Sequence, residues 1–269
     1  MSQPPKLTDT IQRTRNLARA HETFLQDLAA DDLHDRLTLV NKIFQSAIVV
    51  TAFRQVWADR MPKAQIIAQN EALDFDSQAH DLIIHSLGLH WADDPVGQMI
   101  QCRRALKPDG LFLAATLGGQ TLQELRACLA QAETQVTGGL SPRVAPMAEI
   151  RDLGSLLQRA GFALPVADSQ THTASYRDIF HLMHDLRAMG EGNALASRLR
   201  VPTQRKVFEE AARLYVQHHS EAGRIKATFE IVTLTGWAPD ASQQQPLRPG
   251  SATKRLADAL GGTEQKLND

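Results

Sequence analysis

Four groups of side chains in this sequence have the types and spacing to do chemistry. His181, His184 and Asp185 fall within one helical turn, and histidines three apart can share a metal ion if further ligands arrive from elsewhere. A surface or packing role is the more frequent state of such a pair. His85 and His90 flank the exit of an apolar run, at the edge where α/β sheets hold ligands; lining a pocket and packing are both open for them. Arg187, Glu191 and Asn193 surround a Gly-Glu-Gly-Asn segment, which costs backbone entropy and gives little packing in return. That composition fits a face turned toward a substrate or a partner, while an Arg–Glu tether closing the loop is the competing reading. Arg143, at the end of the loop 138–143, can meet a carboxylate or a phosphate, although an exposed arginine is more often solvated. His218 and His219 end a helix, where imidazolium suits the dipole, and carry no assigned chemistry. No nucleophile elbow, P-loop or HExxH occurs, and Cys102 and Cys128 have neither metal nor redox spacing.

The stretch that must position these groups runs from residue 81 to 116. Residues 81–84 are short, apolar and β-branched, which predicts a strand. Residues 85–91 leave it irregularly. Pro95 can open a helix, with Val96, Met99, Ile100 and Ala105 as its apolar stripe. Lys107-Pro108-Asp109-Gly110 predicts a turn in which glycine takes any positive φ, and 111–116 is the next buried strand. Together they make one right-handed βαβ unit of a doubly wound sheet. Elsewhere the patterns predict helices over 8–29, 31–44, 120–136, 149–160, 176–189 and 203–219, with Gly161 closing the fourth. Strands are predicted at 46–52, 65–69, from 162 to 166, and over the alternating, β-branched 227–235. The resulting organisation is an N-terminal helical segment (1–43), an α/β domain (44–238) and a mostly unstructured tail (239–269) rich in Gln, Pro and Gly.

A strand ending in SLGLHW, a helix closed by RRALKPDG and a strand LFLAA resemble the fourth and fifth strands of class I S-adenosylmethionine-dependent methyltransferases. LGGQTLQELR, TGGLSPR, DLGSLLQRAGF, LMHDLRAMGEGNA and RPGSA narrow the resemblance to the methyltransferase-like assembly factors of respiratory complex I, whose mitochondrial member is described as an arginine hydroxylase. Biotin-pathway carboxyl methyltransferases are more distantly similar. The resemblance implies a Rossmann-like fold, with a pocket at Gln69, Asn70, Ala72, Leu73, Ser86, Leu87 and His90 for S-adenosylmethionine. It places Trp91, Arg143, Arg187, Glu191 and Asn193 on the side of substrate or partner.

The chain departs from that family at the cofactor. A glycine-rich turn should follow the strand SAIVVTA, letting the backbone approach the ligand and presenting amides at a helix start. Phe53-Arg54-Gln55-Val56-Trp57 stands there instead, and no glycine occurs between Phe44 and His80. Only about a dozen residues, 53–64, separate the first strand from AQIIAQ, too few for helix, strand and helix. One β-α unit is therefore expected to be missing, and with it the carboxylate that would hold the ribose. Gln69 and Asn70 put neutral amides where acids would meet adenine, and a neutral acceptor bonds more weakly.

The remaining numbers bound the class. The 269 residues are 43% hydrophobic and 22% charged, ordinary for a soluble globular protein. A net charge of −1 gives no electrostatic footprint for nucleic acid or an anionic membrane. No apolar run is long enough to span a bilayer, and the basic stretch 12–19 reads as an amphipathic helix rather than a transit peptide. A reducing cytoplasm, or the mitochondrial matrix in a eukaryote, is the expected compartment. The favoured reading is a methyltransferase-fold pseudoenzyme with a degraded cofactor site, acting through protein contacts in complex I assembly. An active methyltransferase and a protein arginine hydroxylase are the alternatives.

Overall fold

The computed structural model describes residues 6–244. One compact unit ends at Pro239; of the next, 240–244 are described and turn on the Asp240 carboxylate, which accepts from the Ser242 amide at 2.8 Å. The expected unstructured tail from 245 onward lies outside the described residues.

Strands β1 (Ala47–Val50), β2 (Gln65–Ile67), β3 (His80–Ser86), β4 (Leu106–Leu117), β5 (Ala163–Tyr176) and β7 (Arg224–Trp237) form a sheet in the order β2-β1-β3-β4-β7-β5, and the two-residue β6 (Ser220–Glu221) hairpins onto β7. β1 to β4 run parallel, and β7 enters antiparallel between β4 and β5. Strand residues alternate between two cores, as a sheet covered on both faces requires. Leu82, Ile84, Leu111 and Leu113 face one; Ile83, Phe112 and Ala114 face the other. The first core is covered by helices α2 (Phe24–Leu39), α5 (Gln123–Thr137), α7 (Ile179–Ala188) and α8 (Arg205–His219), and the second by α4 (Pro95–Ala105) and α6 (Ile150–Ala160). Among the described residues no helix is long and apolar enough to cross a membrane.

β2 lies directly against β1, with Ile48 opposite Gln65 and Val50 opposite Ile67. The five-residue α3 (Arg54–Ala58) is the one helix between them. The short spacing is thus realised as a sheet with no strand between these two, as the residue count predicted.

Several boundaries moved, for identifiable reasons. The single helix predicted over 8–29 is two: α1 (Thr10–Leu17), capped by Asp9 accepting from the Gln12 amide at 3.0 Å, and then α2. The break at 19–23 forms because the His21 and Glu22 amides donate to the Ala188 carbonyl rather than continuing the helix. α2 ends at Leu39, short of the predicted 44. The Lys107–Gly110 turn is a bulge inside β4, where the register jumps from His80–Leu106 to Leu82–Leu111. Its positive φ, +59°, sits on Asp109 and not on Gly110, since Asp tolerates this region and Lys42 Nζ grips both its carbonyl (2.5 Å) and its carboxylate (2.7 Å). Tyr176 closes β5 instead of opening a helix; its hydroxyl donates to Asp185 at 2.9 Å, and Asp178 caps α7 through the His181 amide. Gly161 ends α6 at φ +83°, as its type predicts.

Candidate functional site

The ligand-bearing edge of such a sheet is where the strands end, and here it is built from the exits of β1, β2 and β3. After β1 the turn is closed by a side chain: Thr51 Oγ1 accepts from the Phe53 amide at 3.1 Å. Phe53 and Trp57, directly after the strand, are buried in the core that α2 covers.

At the β2 exit, Gln69 Nε2 donates to the Ser86 carbonyl at 2.5 Å. Its carboxamide lies flat on Gly88, where an added Cβ would stand 2.3 Å away; only glycine admits this approach. The chain after Gln69 is stapled to α4. Gln98 Nε2 donates to the Asn70 carbonyl (3.2 Å), Gln101 Nε2 to the Glu71 carbonyl (3.0 Å), and Gln101 Oε1 accepts from the Leu73 amide (2.8 Å). Asn70 and Ala72 are exposed and Leu73 half-buried. At the β3 exit, Leu87 takes φ +43° and its amide donates to the Ala115 carbonyl, and the buried Ser86 hydroxyl has no partner among the described residues. His85 meets Gln98 Oε1 at 3.0 Å; burial pushes its imidazole down to about 4, so it is neutral at physiological pH.

Gln69, Asn70, Ser86, Leu87 and His90 therefore gather at one end of the sheet. Next to Gln69 and Asn70 lies a cavity of about 170 Å³, which also receives Gly88, Trp91 and Gln98 and is roofed by Thr10, Arg13, Thr14 and Leu17 of α1. The roof is anchored: Asp93 accepts from the Leu7 and Thr8 amides (2.8 and 2.9 Å), and the Thr8 hydroxyl donates to the Trp91 carbonyl at 2.7 Å.

On the other side of Trp91 is a second cleft of about 210 Å³. Leu117 of β4, Leu125 of α5, Met183 of α7 and Phe229 of β7 make its walls apolar, and Arg143, Arg187, Glu191 and Asn193 all line it. The five residues expected on the partner side thus share one cleft, but their states differ. Glu191 is half-buried, its side chain only 9% exposed, and fully engaged: Arg13 Nη2 lies 3.1 Å from one oxygen, and Trp91 Nε1 (2.7 Å) and His90 Nε2 (3.3 Å) meet the other. Burial alone would raise this carboxyl, but the Arg13 charge, with His90 and Trp91, holds it at about 2. Arg13 also donates to the Gly190 carbonyl at 2.7 Å and stacks on the Trp91 ring at 5.1 Å. The tether left open by the sequence is therefore real, with Arg13 as its cation and not Arg187. Arg143 is not solvated; it pairs with Glu133 at 2.7 Å and donates to Thr203. Asn193 donates to the Pro142 carbonyl and accepts from the Leu195 amide. Arg187 is exposed, and its guanidinium has no hydrogen-bond or ion-pair partner among the described residues.

Arg13 was missed from sequence, since nothing local marks one arginine of a basic helix as the partner of a glutamate 178 positions away. The metal reading of His181 and His184 gains no third ligand: among the described residues no three His, Cys, Asp or Glu side chains are grouped to hold an ion. His181 instead packs edge-on to Tyr176.

Comparison with known proteins agrees with this architecture. Residues 41–114 match the methyltransferase domain family model. The mouse arginine-hydroxylase NDUFAF5, mitochondrial, is 39% identical over 86% of this chain and 66% of its own length, and the zebrafish protein of the same name is 36% identical over 82% and 68%. A malonyl-[acyl-carrier protein] O-methyltransferase of Laribacter hongkongensis is 34% identical over 70% of this chain and 61% of its own. The chain thus spans about two thirds of the length of these relatives. With that identity, the interleaved antiparallel β7 and the parallel β1–β4 core, the chain belongs to the class I S-adenosylmethionine-dependent methyltransferase superfamily, in the family of its NDUFAF5 relatives.

Proposed function

We propose that this chain is a methyltransferase-fold protein whose S-adenosylmethionine site has degenerated, and that it acts through contacts with another protein in complex I assembly. The observation that carries this reading is the β1 exit. Phe53 to Trp57 stand where a glycine-rich turn would, with Phe53 and Trp57 buried in the core, the Phe53 amide is used internally, and β2 follows without the strand that would bring a ribose carboxylate. The cavity remaining beside Gln69 and Asn70 is about 170 Å³. Gln69, Asn70, Ala72, Leu73, Ser86, Leu87 and His90 are then the remnant of a cofactor pocket, and these residues do not fit S-adenosylmethionine. Trp91, Arg143, Arg187, Glu191 and Asn193 form the side that meets substrate or partner. The compartment proposed is the cytoplasm, or the mitochondrial matrix in a eukaryote.

The test is a thermal shift with S-adenosylmethionine. A site saturated at about 100 times its dissociation constant gains roughly 2.7 kcal/mol, a rise of about 5–10 °C for a domain of this size. A shift near zero is expected at about 1 mM ligand; a saturable rise of several degrees, matched by calorimetric titration, overturns the reading and restores a working methyltransferase. The names of the mouse and zebrafish relatives favour a second reading, arginine hydroxylation. Mass spectrometry of a co-purified partner would support it by finding one added oxygen on an arginine.

A further inference from the structure

The larger cleft has a charge state that selects its ligand. Three of its lining residues are ionisable: Arg143, Arg187 and Glu191. Glu191 is spent on Arg13, Trp91 and His90, and Arg143 on Glu133. Arg187 alone has no partner among the described residues, so the unpaired charge at this cleft is positive. A guanidinium or ammonium entering it finds no free carboxylate and must compete with Arg13 for Glu191. An anion finds a cation already waiting, with five donors in a fixed fork.

The walls set the rest of the ligand. They are apolar on every side that β4, α5, α7, α8 and β7 supply. The volume, about 210 Å³, is too small for a helix of roughly 10–12 Å diameter. It is somewhat larger than the ~150 Å³ apolar cavity that accepts a six-carbon ring, which scales to a chain of about eight carbons. We propose that this cleft binds an aliphatic carboxylate, with the chain among Leu125, Met183, Phe208 and Phe229 and the carboxylate on Arg187 at the rim. The proposal rests on the preceding reading only in taking this cleft, and not the smaller cavity, as the working site.

The experiment titrates the full chain calorimetrically with octanoate, octylamine and 1-octanol. Octanoate is expected to bind saturably at one site, about tenfold more tightly than the alcohol, the scale of one charge-assisted contact, with octylamine weaker than both. Arg187→Met should erase the preference for octanoate over octanol and leave the melting temperature unchanged, because Arg187 holds nothing in the fold. Arg187→Lys should retain part of the preference, and Met183→Trp, which fills the cleft, should abolish binding of both. Octylamine binding as well as octanoate, an Arg187→Met variant that keeps the preference, or uptake that never saturates would overturn the proposal. None of these outcomes depends on S-adenosylmethionine, so failure here is distinguishable from failure of the cofactor reading.

Discussion

Glu191 shows how one residue's state is decided by competing magnitudes. A carboxylate buried alone is costly and would protonate, yet three donors converge on it and keep it ionised, with its carboxyl at about 2 against an ordinary 4.5. A depressed carboxyl contributes stability above its unfolded value and loses it as pH falls toward the folded one. That depression corresponds to on the order of 3 kcal/mol. Glu191→Ala should therefore lower the melting temperature at pH 7 by about 6–12 °C, taking about 2–4 °C per kcal/mol, since removing one partner strands Arg13. The wild type should also lose stability between about pH 4.5 and 2, and the variant should lack that part of the slope. Acid unfolding curves of both proteins check this; an unchanged midpoint at pH 7 would show that the tether holds nothing.

At the scale of elements, α1 is the least self-sufficient piece and the most consequential for the site. Eight residues cannot hold a helix in water unaided, so α1 persists through its anchors: Asp93 at the Leu7 and Thr8 amides, Arg13 at Glu191, and Asp9 paired with Arg198 at 2.8 Å. Asp93→Ala removes the side-chain acceptor of two amides, a loss on the order of 2 kcal/mol. Amides of Thr10–Leu17 should then exchange at least tenfold faster while those of β3 and β4 are unchanged. Equal acceleration everywhere, or none in α1, would mean that the roof is not held from this end. What was legible in the sequence divides along the same line. β3, α4 and the body of β4 follow from local periodicity, and Gly161 stops α6 because its backbone requirement is local too. The missing strand was legible because it is a matter of chain length between two apolar runs. The pairings Arg13–Glu191 and Arg143–Glu133 were not, because each is a choice among many arginines and glutamates that only the folded chain makes. Asp109 was misjudged in favour of Gly110 because the bulge is fixed by Lys42, 67 positions upstream.

For the whole molecule, the absence of the strand that would lie between β1 and β2 changes which part of the sheet is held least. β3 is buried along nearly its full seven residues, with β1 on one side and the twelve-residue β4 on the other. β2 is three residues long, exposed or half-buried throughout, and paired on one side alone. Its only helical neighbour in sequence is the five-residue α3. Opening β2 exposes little apolar surface and breaks few ladder hydrogen bonds, so its opening free energy should fall well below that of global unfolding. Native-state hydrogen exchange is expected to show Ile66 and Ile67 exchanging through local openings insensitive to low denaturant, while Ile83, Ile84, Phe112 and Leu113 exchange only with global unfolding. Equal protection across β2 and β3 would overturn this ordering. The consequence reaches the candidate site: Gln69 and Asn70 hang from the end of β2, so the smaller cavity is built on the edge expected to open first. The apolar cleft is built on β4, β7, α5, α7 and α8, away from that edge.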